Sequence, residues 1–279
     1  MILPKSTIGA MAIADNDMTI RQPAVAGTFY PRDRDLLWKT VDDLLAGARS
    51  THHEKIRTVI APHAGYSYSG AVAAKAFAGL KGLRDRIERL VVIGPAHFVH
   101  LHGIAAPAAS AFRTPLGDVP VDTAAIAEIA HMPQVAVDDQ PHAPEHALEV
   151  ELPFLQATLG AVPIVPLLVG STRAEEVAQI LNRLWDARTL VVVSSDLSHY
   201  NSYEAARSLD AATADAIERL DEKAIGSHDA CGSVAVCGML IEARHRGLAV
   251  ERLDLRNSGD TAGDRQRVVG YGAWVVLET

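Results

Sequence analysis

Three apolar segments of the chain are continuous rather than alternating, and each is followed within a few residues by a histidine. The segments cover residues 57–62, 89–96 and 189–195, and the histidines are His63, His97 and His199. Runs rich in valine and isoleucine without alternation are typical of strands buried on both faces of a sheet. Because ligands of open α/β sheets bind beyond the carboxyl ends of the strands, we expect these imidazoles at one edge of the sheet.

Segments with the helical spacing of apolar positions alternate with the predicted strands. The predicted helices cover residues 33–48, 71–80, 122–131, 149–159, 173–185, 203–220 and 233–245. The predicted strands cover residues 58–61, 90–93, 103–108, 164–169, 190–193, 253–257 and 268–277, with a hairpin-like loop at 112–117. This alternation predicts one α/β domain, over residues 18–279, with helices on both faces of the sheet.

The N-terminal segment differs from the rest of the chain. Residues 1–17 show no sustained period and are interpreted as a flexible tail. Met18 opens a better-patterned segment, so both Met1 and Met18 are candidates for the true start. Residues 22–31 are interpreted as an irregular segment or an edge strand.

Composition narrows the functional classes. The 279 residues are 48% hydrophobic and 22% charged, which is typical of a soluble globular protein. A net charge of −8 without a basic stretch argues against a nucleic-acid partner, and the lack of an 18-residue apolar run argues against a membrane span. The two cysteines, Cys231 and Cys237, suit a reducing compartment, and no signal-peptide pattern is present, so we expect a cytoplasmic protein.

Histidines at the strand ends are the first candidates for chemistry, since imidazoles serve as metal ligands and in proton transfer. His63 follows Pro62 at a strand end and is interpreted as a ligand or a base. The alternative is a turn histidine bonded to a backbone carbonyl. His97 has the same place after its strand, whereas His100 and His102 are more typical of a solvated loop.

Asp196 and His199 form the most specific single motif. Side chains three residues apart on a tight turn or a first helical turn face the same way, so Asp196 could orient the imidazole or accept a proton. The alternative is a helix N-cap aspartate beside a surface histidine.

A polar cluster at residues 142–151 opens a predicted helix. Glu145 fits the preference of helix N-termini for carboxylates and is interpreted in that way. For His146 and Glu151, a role in acid–base catalysis and a plain role at the helix start both stay open.

Cys231 precedes a predicted helix that starts at residue 233. A helix N-terminus lowers the pKa of a thiol and favours the thiolate, which is a good soft ligand or nucleophile. The alternative is a small buried apolar side chain, and this alternative is favoured for Cys237.

Taken together, these motifs resemble the Memo family. The matching segments are residues 24–31, 61–70, 94–97, 145–153, 194–199 and 231–232, within a resemblance that spans residues 21–279. Bacterial and archaeal members are called AmmeMemoRadiSam system protein B, and the family resembles in fold the class III extradiol dioxygenases, which use non-haem iron(II). One departure is Ala96-His97-Phe98, where the family often has Ser-His-His.

The resemblance implies a three-layer α/β/α fold, around a mostly parallel sheet, with a metal-capable pocket. It implies His63, His97 and Cys231 as metal ligands and Asp196 and His199 as the other pocket residues. The implied cofactor is a divalent metal, iron(II) first and copper or zinc as alternatives. AMMECR-type and radical SAM proteins are the implied partners, and a small molecule or peptide is the implied occupant of the pocket.

Three functions follow from these observations. The first is a metal-dependent oxidoreductase in which Asp196 and His199 assist proton transfer. The second is a zinc-type hydrolase in which Asp196 or Glu151 acts as the base. The third is a non-catalytic module that binds a peptide or a partner protein in the pocket.

Overall fold

The structure is a computed structural model that describes residues 19–48 and 55–279. The predicted tail at residues 1–17 and the candidate start Met18 lie outside the described residues. No helix in the described ranges is long and apolar enough to cross a membrane.

A mixed sheet of nine strands lies at the centre of the described chain. The strands of the structure are β1 (Ile20–Arg21), β2 (Ile56–Ala61), β3 (Arg89–Pro95), β4 (Ile104–Ala106), β5 (Ala111–Thr114), β6 (Gly117–Pro120), β7 (Val135–Val137), β8 (Ile164–Val169), β9 (Thr189–Ser194), β10 (His199–Asn201), β11 (Ala249–Asn257) and β12 (Val268–Leu277). The order in the large sheet is β10-β12-β2-β9-β3-β8-β4-β7, and β11 also pairs with β12. The strands β1, β5 and β6 form a second, small sheet.

The central strands β2, β9, β3 and β8 are parallel neighbours. Every residue of β8 and β9 is buried, which explains why these strands are continuously apolar instead of alternating. Because the strands are parallel, the carboxyl ends of β2, β9 and β3 lie at the same edge of the sheet.

Helices cover the sheet. They are α1 (Arg34–Gly47), α2 (Tyr66–Ala78), α3 (Thr123–Ile129), α4 (Leu152–Leu159), α5 (Ala174–Leu184), α6 (Tyr203–Glu218) and α7 (Ser233–His245). The helices α1, α2 and α4 pack against one another, α5 packs against α7, and both α2 and α6 contact β12. The predicted α/β fold, with helices on both faces of a mostly parallel sheet, is confirmed.

Several elements differ from the sequence prediction. The predicted helix at 149–159 begins as a 3-10 turn, Glu149–Glu151, and α4 follows from Leu152 with Pro153 in its first turn, where the missing N–H of proline costs nothing. The strands β1, β7 and β10 were not predicted, because two or three residues are too few to show a period on their own. The hairpin-like loop at 112–117 is the antiparallel pair of β5 and β6.

Candidate metal centre

Three imidazoles meet at the carboxyl edge of the central strands. His63 lies just beyond β2 and His97 just beyond β3, while His146 comes from the loop before the 3-10 turn. One candidate ligand atom from each residue lies within 4.8 Å of those of the other two. His63 is buried, His146 is half-buried and His97 is exposed, so the group opens toward solvent on one side. The three histidines could hold a metal ion.

Glu145 orients the imidazole of His97 and lies beside that of His146. Its Oε1 accepts a hydrogen bond from Nδ1 of His97 at 2.9 Å, and Nδ1 of His146 lies 3.2 Å from the same oxygen without making a hydrogen bond. The backbone N–H groups of His97, His146 and Ala147 also donate to this carboxylate. Although burial opposes ionisation, the nearby imidazoles of His146 and His97 hold the pKa of Glu145 well below its usual range.

The sequence interpretation of Glu145 as a helix-start residue is therefore wrong. Glu145 lies in irregular backbone and is 3% exposed, with its carboxylate turned to the histidine group. The only local signal for this role is its position directly before His146, because its contact with His97 spans 48 residues of chain.

Ser194 and Asp196 hold His63. Oγ of Ser194, the last residue of β9, lies 2.8 Å from Nδ1 of His63, and Oδ1 of Asp196 accepts a 2.9 Å hydrogen bond from its backbone N–H. Desolvation, together with the neighbouring His97 and His146, holds the pKa of His63 well below its usual range. The imidazole is consequently neutral near pH 7, which is the form that binds a metal.

An open pocket of about 480 Å³ lies beside the three imidazoles. Asp196 and His199, which the family resemblance implies as pocket residues, line it together with Phe29, Tyr68 and Tyr271. Burial raises the pKa of Asp196, while hydrogen bonding from His63 and the nearby histidines oppose the rise. A carboxyl group with a raised pKa on the wall of a pocket is suited to accepting and returning a proton.

Cys231 lies at the back of the histidine group. Its Sγ is 3.4 Å from Nε2 of His63 and 3.6 Å from the carbonyl oxygen of Asp196. Burial and the Asp196 carboxylate raise the pKa of the Cys231 thiol to about 12. The predicted lowering of this pKa is wrong, because desolvation outweighs the start of α7 two residues later. A ligand role for Cys231 stays a prediction.

Glu151 lies behind the pocket instead of lining it. Its side chain is completely buried, with Oε1 2.9 Å from Oγ of Ser194, and burial holds its pKa well above the usual range. The base role considered for Glu151 thus has no direct route to a ligand in the pocket.

His100 and His102 lie outside the group of three and contact each other, with their Nε2 atoms 3.2 Å apart.

A buried ion pair that the sequence did not reveal anchors the His146 segment. Arg21 pairs with Glu149 and also donates to the backbone carbonyl groups of His142 and Glu145. Glu149 further accepts a hydrogen bond from the hydroxyl of Tyr30 and from two backbone N–H groups. These partners are more than 100 residues apart along the chain, so no local motif could show the network.

Asp210 on α6 supports the turn that carries His199. It is 2% exposed, and its Oδ1 accepts a 3.0 Å hydrogen bond from the backbone N–H of Ser198. Burial raises the pKa of Asp210 from 3.8 to about 6. Between about pH 4 and pH 6 the folded protein therefore keeps a proton that the unfolded chain has released, and the free energy of unfolding falls as the pH rises.

Replacing Asp210 with asparagine is expected to remove the decrease in the free energy of unfolding that Asp210 causes as the pH rises. The amide stays neutral at every pH and can still accept the hydrogen bond from the backbone N–H of Ser198. The change corresponds to about 3 kcal/mol between pH 4 and pH 7. Urea denaturation at unit pH intervals measures it, with the exposed Asp85→Asn as the matched control. An Asp210→Asn protein with the pH slope of the unsubstituted protein would contradict the prediction.

Known proteins of one family resemble this chain in sequence. A family model described as "Memo-like protein" matches residues 21–275. A MEMO1 family protein of Aquifex aeolicus is 34% identical over 93% of this chain and 100% of the relative. A MEMO1 family protein of Aeropyrum pernix is 35% identical over 92% of this chain and 99% of the relative. Among solved structures, the uncharacterized protein JW3007 of Escherichia coli K12 has 14% identity and a TM-score of 0.49, covering 80% of this chain and 100% of that one.

Proposed function

We propose that this chain, which belongs to the Memo-like protein family, binds a divalent metal ion through His63, His97 and His146 and acts as a metal-dependent oxidoreductase. The observation that carries the proposal is the meeting of three imidazoles at one edge of the sheet, beside an open pocket. A pocket of this volume lies within the roughly 300–1,000 Å³ of small-molecule sites, so the proposed substrate is a small molecule.

The donor set fits a first-row transition metal. Imidazole nitrogen suits iron, copper and zinc, whereas magnesium and calcium prefer oxygen ligands. Nδ1 of His63 faces Ser194 and Nδ1 of His97 faces Glu145, which leaves Nε2 of each ring for the metal. Such outer partners fix ring orientation at protein metal sites. Iron(II) is our first choice of metal, with copper and zinc as alternatives.

The residues around the proposed metal suit acid–base assistance. A bound metal with open coordination positions would supply a centre for binding dioxygen and the substrate. Asp196 would take a proton from a bound substrate and return it, since its pKa is raised by burial. His199, at the start of β10 on the pocket wall, is the second candidate for moving that proton.

Zinc-dependent hydrolysis is the second candidate function. The observation that favours it is the three-imidazole donor set itself, which is one of the ligand sets of catalytic zinc. Zinc would lower the pKa of a bound water, and Asp196 would then serve as the base. This function needs no dioxygen, which separates it from the first.

Elemental analysis of protein purified without an affinity tag or chelator tests the proposal. We expect about one iron or copper ion per chain, or its recovery after anaerobic loading with iron(II), and dioxygen uptake by the loaded protein. Zinc at full occupancy with activity that is independent of dioxygen would favour the hydrolase. Failure to take up any metal would overturn both functions and favour a module that binds a peptide or a partner, with AMMECR-type and radical SAM proteins as the first candidates.

A further inference from the structure

Ser194 has three close polar neighbours and only one hydroxyl hydrogen to share among them. Its Oγ lies 2.7 Å from the carbonyl oxygen of Ala147, 2.9 Å from Oε1 of Glu151 and 2.8 Å from Nδ1 of His63. Ser194 is completely buried, so water does not supply further partners. A serine hydroxyl donates one hydrogen bond and accepts two, and three partners therefore use its whole capacity.

The chemistry of the neighbours decides which of them receives the hydrogen. The carbonyl oxygen of Ala147 can only accept, so Ser194 must donate to it. Oγ then accepts from the two remaining neighbours, which must both donate. His63 consequently carries its proton on Nδ1, and Glu151 donates as a neutral carboxylic acid.

The surroundings of Glu151 agree with a neutral carboxyl group. Its side chain is completely buried, and its Oε2 has no hydrogen-bond partner. An ionised carboxylate with an unsatisfied oxygen in such surroundings would cost far more free energy than the neutral acid. Ionised Glu151 would also compete with Ala147 for the single hydrogen of Ser194 and would leave one buried acceptor unpaired.

We propose that Ser194 is a positioning residue that fixes the proton of His63 on Nδ1 and so presents the lone pair of Nε2 to a metal. Neutral Glu151 supports this role by donating a hydrogen bond to Ser194. The inference rests on the proposed metal site for its consequence, but the tautomer itself is a property of the metal-free protein. In that form, Nε2 carries no proton and is able to accept from the thiol of Cys231, whose Sγ lies 3.4 Å from Nε2 and 3.6 Å from the carbonyl oxygen of Asp196. Metal binding at Nε2 then requires no movement of a proton on His63.

Nitrogen NMR of metal-free protein labelled at histidine tests the tautomer at about pH 8, where free imidazole is neutral. The His63 signals are identified by their absence in His63→Gln. We expect Nδ1 of His63 to carry the proton and Nε2 to show the chemical shift of an unprotonated imidazole nitrogen. A proton on Nε2 in the unsubstituted protein would overturn the inference, whether or not any variant folds.

Two variants separate positioning from structural support. In Ser194→Ala we expect a mixture of His63 tautomers and zinc affinity about 10–100-fold weaker, which is typical of losing an outer partner of a ligand. The His97 tautomer should stay unchanged, because Glu145 holds it independently. In Glu151→Gln the amide can still donate to Ser194, so the His63 tautomer and zinc affinity should both be retained, while the infrared band of a buried carboxylic acid disappears.

The outcomes distinguish this inference from the proposed function. Titration uses zinc ion alone in competition with a chromogenic chelator, and circular dichroism confirms that each variant is folded. Absence of zinc, iron or copper binding with the expected tautomer would sink the metal function and leave the hydrogen-bond assignment standing. Metal binding with an unchanged tautomer and unchanged affinity in folded Ser194→Ala would overturn the positioning role alone.

Discussion

Replacing His63 with alanine is expected to reduce metal uptake from about one ion per chain to background, with affinity more than about 100-fold weaker. His63 is the buried member of the group, and both of its ring nitrogens face site residues, Ser194 and Cys231. Its removal leaves only the imidazoles of His97 and His146, which cannot enclose the ion. Elemental analysis and competition titration with zinc measure the loss.

The matched control for this loss is His131→Ala, an exposed histidine outside the group of three. It should leave metal content and affinity unchanged, and a loss as large as that of His63→Ala would show non-specific uptake. Comparison of His146→Ala with Cys231→Ser then decides the third ligand. We expect the greater loss in His146→Ala, and the reverse order would favour the thiol that the family resemblance implies.

Replacing Glu149 with glutamine is expected to lower the free energy of unfolding by about 3–5 kcal/mol, the usual cost of breaking a buried ion pair. The guanidinium of Arg21 would then remain buried without its charged partner. Glutamine preserves the shape of the side chain, so the loss reports the charge and not a cavity. Urea denaturation at neutral pH measures the change.

Arg113→Ala is the control for this effect, since Arg113 pairs with Asp118 at the exposed β5–β6 hairpin. Exposed pairs contribute little to stability, so its urea midpoint should stay close to that of the unsubstituted protein. Equal effects of the two substitutions would refute the special role of the buried pair.

Glu149→Gln should also weaken zinc binding, because Arg21 holds the backbone of the segment that carries His146.

The α/β fold was predictable because its signals are local. Strands buried on both faces must be apolar at every position, and β8 and β9 show this directly in the sequence. Helices were recognised by their spacing, and the helix predicted at 122–131 is α3, where Asp122 accepts a hydrogen bond from the backbone N–H of Ala125. The three-residue strand β4 was predicted because it lies in the longer apolar run at 103–108, whereas β1, β7 and β10 lie in no such run and were missed.

The candidate site was predictable only in part. His63 and His97 could be found because each directly follows a parallel strand, and strand direction places both at one edge. His146 was recognised as a candidate for acid–base chemistry, but its contact with the other two imidazoles depends on how the loop at 142–151 folds back. The role of Glu145 was misjudged for the same reason.

The sequence by itself determined the sheet, its covering helices and the delivery of two imidazoles to the carboxyl edge, because these depend on periodicity and chain direction. Tertiary structure alone decided the grouping of the third imidazole, the orientation of the rings by Glu145 and Ser194, and the ionisation of buried groups. The thiol of Cys231 shows the physical reason. Its place near a helix start favours the thiolate, but its pKa is raised to about 12 because desolvation depends on which distant segments surround it.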